Sequence, residues 1–69
     1  ITCNEQGRVT SIQLQNQDLV GSIPASIANL TSLIELNLMS NRLNGIVPWS
    51  SIAQLTSLNY LNLGDNDFS

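Results

Sequence analysis

Residues 33–48 run LIELNLMSNRLNGIVP. Leu36 and Leu38 stand two apart, the spacing of a short strand with one face turned inward. Asn41 follows where such a strand must bend, then come Leu43, Gly45 and Pro48. The same order occurs upstream in residues 9–24, VTSIQLQNQDLVGSIP, where Leu14, Leu19, Gly21 and Pro24 stand for Leu38, Leu43, Gly45 and Pro48. It occurs again downstream: ASIANLTSLIELNLMSNRL, from Ala25 to Leu43, is echoed by SSIAQLTSLNYLNLGDNDF, from Ser50 to Phe68. The first offset is 24 residues and the second is 25, one residue having been added in PWSSI between Pro48 and Ile52. A strand-bearing unit repeated at this period predicts a solenoid, because one unit cannot bury its apolar side alone and a stack of units can.

The leucines do not suit a helix. Ile27, Leu30, Leu33 and Leu36 step by three, and at about 100° per residue such a stripe drifts by roughly 60° per step around a helix. Pro24 and Pro48 would also interrupt it. The pattern predicts parallel strands near Ser11–Gln15, Glu35–Met39 and Tyr60–Gly64, each followed by a turn and a loose return. Ile12, Leu14, Leu36, Leu38, Leu61 and Leu63 point inward from the strands. Leu43, Ile46 or Val47, Ile52, Leu55 and Leu58 fill the interior on the way back. Asn41 and Asn66 are expected to bury their amides and to satisfy backbone groups that the bend leaves unpaired. Gln17 holds that place in the first coil and fits it less well. The expected fold class is α/β: a right-handed solenoid with a short-strand parallel sheet on its concave face.

Composition narrows the function. Lys and Arg together number two, Asp and Glu five and His none, for a net charge of −3. That excludes nucleic acid as a partner, since phosphate binding needs clustered Lys and Arg. It also argues against direct contact with an anionic membrane surface. No apolar run approaches the ~18–20 residues of a membrane span, and Ile1 to Thr10 is too polar for a signal peptide. The start at Ile1 and the unfinished last repeat suggest a piece of a longer polypeptide. Asp65-Asn66-Asp67 looks like the opening of a calcium loop, but Asn66 belongs to the repeat and no Gly follows at the required place. Without His or Lys there is no nucleophile–base pair, so no catalytic residue, metal or cofactor is expected.

These residues closely resemble the plant-specific class of extracellular leucine-rich repeats, in which leucines flank a strand and are followed by Asn and then Leu-x-Gly-x-Ile-Pro. Leu36, Leu38, Asn41, Leu43, Gly45, Val47 and Pro48 match in order, with Val47 in place of Ile. In the first coil Leu19, Gly21, Ile23 and Pro24 match. The resemblance covers Val9 to Ser69. The opening ITCNEQGRVTSIQL resembles the end of the N-terminal cap of plant receptor-like kinases, receptor-like proteins and polygalacturonase-inhibiting proteins. The resemblance implies that residues 1–8 end that cap and that residues 9–69 hold about two repeats plus the start of a third. It implies that Cys3 is disulfide-bonded to an upstream cysteine. It further implies a horseshoe-shaped receptor ectodomain on the outer side of the plasma membrane or in the apoplast. Its partners would be a peptide, a small hormone or a protein ligand, together with a co-receptor. A kinase domain would lie elsewhere in the full-length protein. A second class shares the same repeats: a secreted inhibitor of a cell-wall-degrading enzyme.

Residues alternating with the inward leucines face the concave side. The candidate binding residues are Ser11, Gln13 and Gln15 in the first coil, Glu35, Asn37 and Met39 in the second, and Tyr60, Asn62 and Asp65 in the third. Asn16, Ser40 and Gly64 complete the face. With strands ~4.8 Å apart these residues tile a polar sheet. Gln13, Asn37 and Asn62 would form a column of amides, with Tyr60 the aromatic anchor. The plainer reading of the face is a solvated sheet surface. Asn29-Leu30-Thr31 is a glycosylation sequon on the return path. Trp49 is expected to pack over the added residue, a contact with a neighbouring domain being the alternative.

Overall fold

A computed structural model describes all 69 residues. The repeat offsets fix its main sheet. Strands β2 (Val9–Gln13), β4 (Glu35–Asn37) and β6 (Tyr60–Asn62) are parallel neighbours, with β1 (Thr2–Cys3) antiparallel on the outer edge of β2. Ser11 lies opposite Glu35 and Glu35 opposite Tyr60; Ile12, Leu36 and Leu61 form the next column, then Gln13, Asn37 and Asn62. Parallel crossovers of this kind are nearly always right-handed. The α/β solenoid expected from the repeat is the fold.

The strands are shorter than expected at their far ends. They were expected to reach Gln15, Met39 and Gly64; they end at Gln13, Asn37 and Asn62. The cause is local. Met39 N donates to Asn37 Oδ1 at 3.1 Å and Gly64 N donates to Asn62 Oδ1 at 3.0 Å, so β4 and β6 are each closed by their own asparagine, while Gln13 at the end of β2 bonds to Glu35 instead. Asn16, Ser40 and Asp65, equivalent in the three coils, then take left-handed backbone with φ of 58°, 59° and 54°. The first strand also begins two residues earlier than expected. A turn led by Asn4, whose Oδ1 accepts from Gln6 N and Arg8 N at 3.0 Å each, folds β1 back against it.

The return path is more ordered than a loose connection. Strands β3 (Val20–Gly21), β5 (Arg42–Gly45) and β7 (Asp67–Phe68) build a second parallel sheet beyond the bend. Gly45 sits in it at φ 80°, with Ser22 so near that a Cβ would meet that side chain at 3.3 Å. Next comes a helical turn in each coil. In the first it is a 3₁₀ turn, Ala25–Asn29; in the second it is an α-helical turn, α1, Trp49–Ile52. The residue added in PWSSI explains the change. Ile27 N reaches back three residues to Pro24 O, whereas Ile52 N and Ala53 N reach back four, to Pro48 O and Trp49 O. One extra residue relaxes a three-residue turn into the wider α turn. Trp49 opens that turn and stays 60% exposed, so it does not pack over the addition as expected.

The core sits between the two sheets and the helical turns. Ile23, Leu33, Leu36, Leu38, Leu43 and Leu55 are buried in one cluster, with Leu33 and Leu36 fully enclosed. Most of these belong to the middle coil, which has a neighbour on both sides. Fully burying a leucine contributes ~1.5–3 kcal/mol, and here only stacking achieves it. Of the two residues proposed for one interior place, Val47 is buried and Ile46 is 78% exposed.

The asparagines at the bend behave as expected. Asn41 Oδ1 accepts from Gln17 N and Leu19 N at 3.0 Å each. Its Nδ2 donates to Leu14 O and Leu38 O at 2.9 Å and to Met39 O at 3.3 Å. Asn66 repeats the pattern, accepting from Leu43 N and donating to Leu38, Leu63 and Gly64 carbonyls. Gln17 does not continue the buried series. Its longer side chain turns outward and caps only its own Gln15 carbonyl, at 3.2 Å. Replacing Asn41 with Ala strips buried backbone groups of partners and should cost about 1–3 kcal/mol. Ser40→Ala loses only an exposed hydroxyl bond and should stay within about ±0.5 kcal/mol. Urea unfolding of the intact protein measures both; equal losses would contradict the ladder.

Candidate binding face

The register of β2, β4 and β6 brings the expected concave residues onto one surface. Ser11, Glu35 and Tyr60 share a column, as do Gln13, Asn37 and Asn62. Their side chains are already engaged with one another across coils. Ser11 Oγ donates to Glu35 Oε1 at 2.8 Å, and Gln13 Nε2 donates to the same oxygen. Ser40 Oγ donates to Asp65 Oδ2 at 3.0 Å, one coil further along. Asn62 Nδ2 donates weakly to Tyr60 Oη at 3.3 Å and lies 3.4 Å from Met39 Sδ.

This alters the reading of several residues. Asn37 and Asn62 are not a free column of amides, because their carbonyl oxygens close their strands. Gln13 belongs to the Glu35 network instead. Ser40 is half-buried and holds a left-handed bend, so it is as much a backbone element as a surface one. What remains open to a partner is Tyr60, Met39, Gln15 and Asn16, with the free Oε2 of Glu35, Oδ1 of Asp65 and Nδ2 of Asn37. Tyr60 and Met39 are 44% and 40% exposed. The sequence reading missed Thr10, Ile34 and Asn59, which line a hollow beside Glu35 and Tyr60. They hold equivalent positions in the three coils, Thr10 within β2 and Ile34 and Asn59 just before β4 and β6, so the repeat alignment already carried that signal.

The other two singled-out residues lie away from the face. Asn29 ends the 3₁₀ turn on the return path, and both Asn29 and Thr31 are exposed. Cys3 is exposed on β1 at the edge of the main sheet.

The chain can now be set against known proteins. A family model described as leucine rich repeat matches residues 7–68. The chain belongs to the leucine-rich repeat family. Receptor-like protein kinase 7 of Arabidopsis thaliana is 46% identical over 70 residues, covering 100% of this chain and 7% of that kinase. The leucine-rich repeat receptor-like serine/threonine-protein kinase RGI4, also of Arabidopsis thaliana, is 47% identical over 70 residues, covering 100% of this chain and 6% of its own length. Among solved structures, a chain from the crystal structure of the BIR3–SERK2 complex of Arabidopsis thaliana superposes with a TM-score of 0.86 at 35% identity. That match covers 97% of this chain and 37% of the other. The chain therefore spans less than a tenth of the length of these curated relatives. The shared part is a leucine-rich repeat segment that is itself non-catalytic.

The Glu35 carboxyl is held below its ordinary 4.5 by the Gln13 and Ser11 donors, with a small opposing effect of burial. Both donors favour the ionised form. A carboxyl depressed in this way contributes stability above its ordinary pKa and loses it as pH falls through the lowered one. In a carbon-13 titration Glu35 should therefore titrate below its ordinary 4.5. In a Gln13→Ala, Ser11→Ala double variant its midpoint should rise; an unchanged midpoint would rule out the two donors as the cause.

Proposed function

We propose that this segment is the N-terminal recognition part of a plant cell-surface receptor ectodomain. Residues 1–8 close a preceding cap and residues 9–69 supply the first repeats. The observation that carries the reading is the concave face. Its backbone is held in strict register, yet Ser11, Glu35 and Tyr60 in one column differ in charge, size and aromaticity. A column serving structure alone would tolerate one repeated residue type. The similarity of the whole chain to plant receptor-like kinases supports a receptor. It favours that class over a secreted inhibitor of a cell-wall-degrading enzyme.

On this reading the segment faces the outside of the cell. Its partner is a peptide, a small hormone or a protein ligand, and a co-receptor is a further one, as the complex containing its structural neighbour suggests. Asn29 carries a glycan, its exposed position leaving room for one. Cys3 is bridged to an upstream cysteine, within reach of β1's exposed edge. Peptide mapping of the intact protein checks both; an unmodified Asn29 together with a free Cys3 thiol would contradict the extracellular assignment.

The binding assignment has its own test. Tyr60→Ala combined with Met39→Ala should weaken partner binding by about tenfold, the effect of losing one aromatic anchor with its neighbour. The melting temperature should move little. Gln54→Ala, on the exposed return path, is the matched control and should bind normally. Weaker binding in the control with normal binding in the concave pair would overturn the assignment.

A further inference from the structure

Thr10, Ser11, Ile34, Glu35, Asn59 and Tyr60 surround a shallow hollow of about 290 Å³ at the entry edge of the concave sheet. Sites for whole small molecules enclose most of the ligand; this hollow is open and seats a side chain lying against it. Its polar lining is Thr10, Ser11, Glu35, the Asn59 amide and the Tyr60 hydroxyl, of which only Glu35 is charged. Ser11 Oγ gives its proton to Glu35 Oε1, and Thr10 Oγ1 gives its proton to the Thr2 carbonyl at 3.2 Å. Neither a carboxylate nor a carbonyl can donate, so both hydroxyl protons are directed away from the hollow. What these groups offer a visitor is lone pairs, joined by Glu35 Oε2, to which no donor of the chain is bonded. The charge on Glu35 has no counterion. The one ion pair of the chain joins Arg42 to Asp18 at 3.6 Å beyond the bend, and Arg8 lines a separate hollow with Asn29. Beside the carboxylate stand Tyr60 and Ile34, an aromatic ring and an aliphatic wall, both largely exposed.

We propose that this hollow binds the guanidinium of an arginine carried by an extended peptide segment of the partner. A guanidinium has five donors, no acceptor and a fixed positive charge, so it complements a hollow whose one charged group is a carboxylate with a free oxygen and no counterion. An anion would meet repulsion, and a neutral amide would leave the charge unmatched. The arginine's methylene stem lies along Ile34 and its planar head over the Tyr60 ring. The inference rests on the recognition reading above and adds the chemical class recognised.

The test is a selection of random displayed peptides on the intact protein, counter-selected against its Glu35→Gln variant. Glu35→Gln retains an oxygen that can accept from Ser11 and Gln13, and an unchanged melting temperature verifies its fold. Surviving peptides should share an arginine. They should bind the wild type about fivefold more tightly than Glu35→Gln, the effect of one partly exposed ion pair. Replacing that arginine by citrulline, its neutral isostere, should reduce binding to the wild type by a similar factor, which keeps the proposal testable if the variant fails to fold. Survivors without arginine, survivors that prefer lysine, or no survivors at all would overturn it. Peptides that depend on Met39 and Tyr60 but not on Glu35 would overturn it while leaving the recognition reading intact. Peptides indifferent to every concave substitution would overturn both.

Discussion

The amide of Asn41 is the contact on which the rest of the structure depends. Its oxygen and nitrogen together reach Gln17, Leu19 and Leu14 in one coil and Leu38 and Met39 in its own. These are backbone groups at a sharp bend, where no parallel strand can supply a partner, and leaving them dry and unpaired is costly. A side chain that answers them from the next coil clamps one coil to another. Leu38 O shows how the clamps join: it accepts from both Asn41 Nδ2 and Asn66 Nδ2, at 2.9 Å each.

Register follows from that clamp, and both faces of the sheet follow from register. A slip of one residue would turn every inward leucine outward. With the bend fixed, Ile12, Leu36 and Leu61 align inside while Ser11, Glu35 and Tyr60 align outside. The inner alignment encloses Leu33 and Leu36 completely. The outer one lets Ser11 and Gln13 reach Glu35, and Ser40 reach Asp65, across the gap between coils. The concave surface is therefore preorganised by the same constraint that builds the core, which lowers the ordering cost of binding.

The sheet register, the inward leucines and the asparagine ladder were legible in the sequence because they depend on spacing, and spacing is what a repeat displays. Offsets of 24 and 25 residues reappear as strand partners. The second sheet was not legible. Val20-Gly21 and Asp67-Phe68 are two-residue strands that exist only because neighbouring coils bring them together. The choice of Val47 over Ile46 likewise turns on the φ of Gly45, which adjacent apolar letters do not reveal. At the candidate site the columns could be read but the partnering of their side chains could not. Asn37 and Asn62 have the letters of ligand-binding amides and the geometry of strand caps. Tyr60, Met39, Gln15 and Asn16, with single atoms of Glu35, Asp65 and Asn37, keep the freedom first assigned to the whole face.

Amide hydrogen exchange of the intact protein in its native state tests the clamp most directly, because local opening is read one backbone group at a time. Gln17 N and Leu19 N donate to Asn41, whereas Leu43 N donates to Asn66. In Asn41→Ala the Gln17 and Leu19 amides should lose most of their protection while Leu43 keeps its own. Undiminished protection at Gln17 and Leu19, or an equal loss at Leu43, would contradict the clamp.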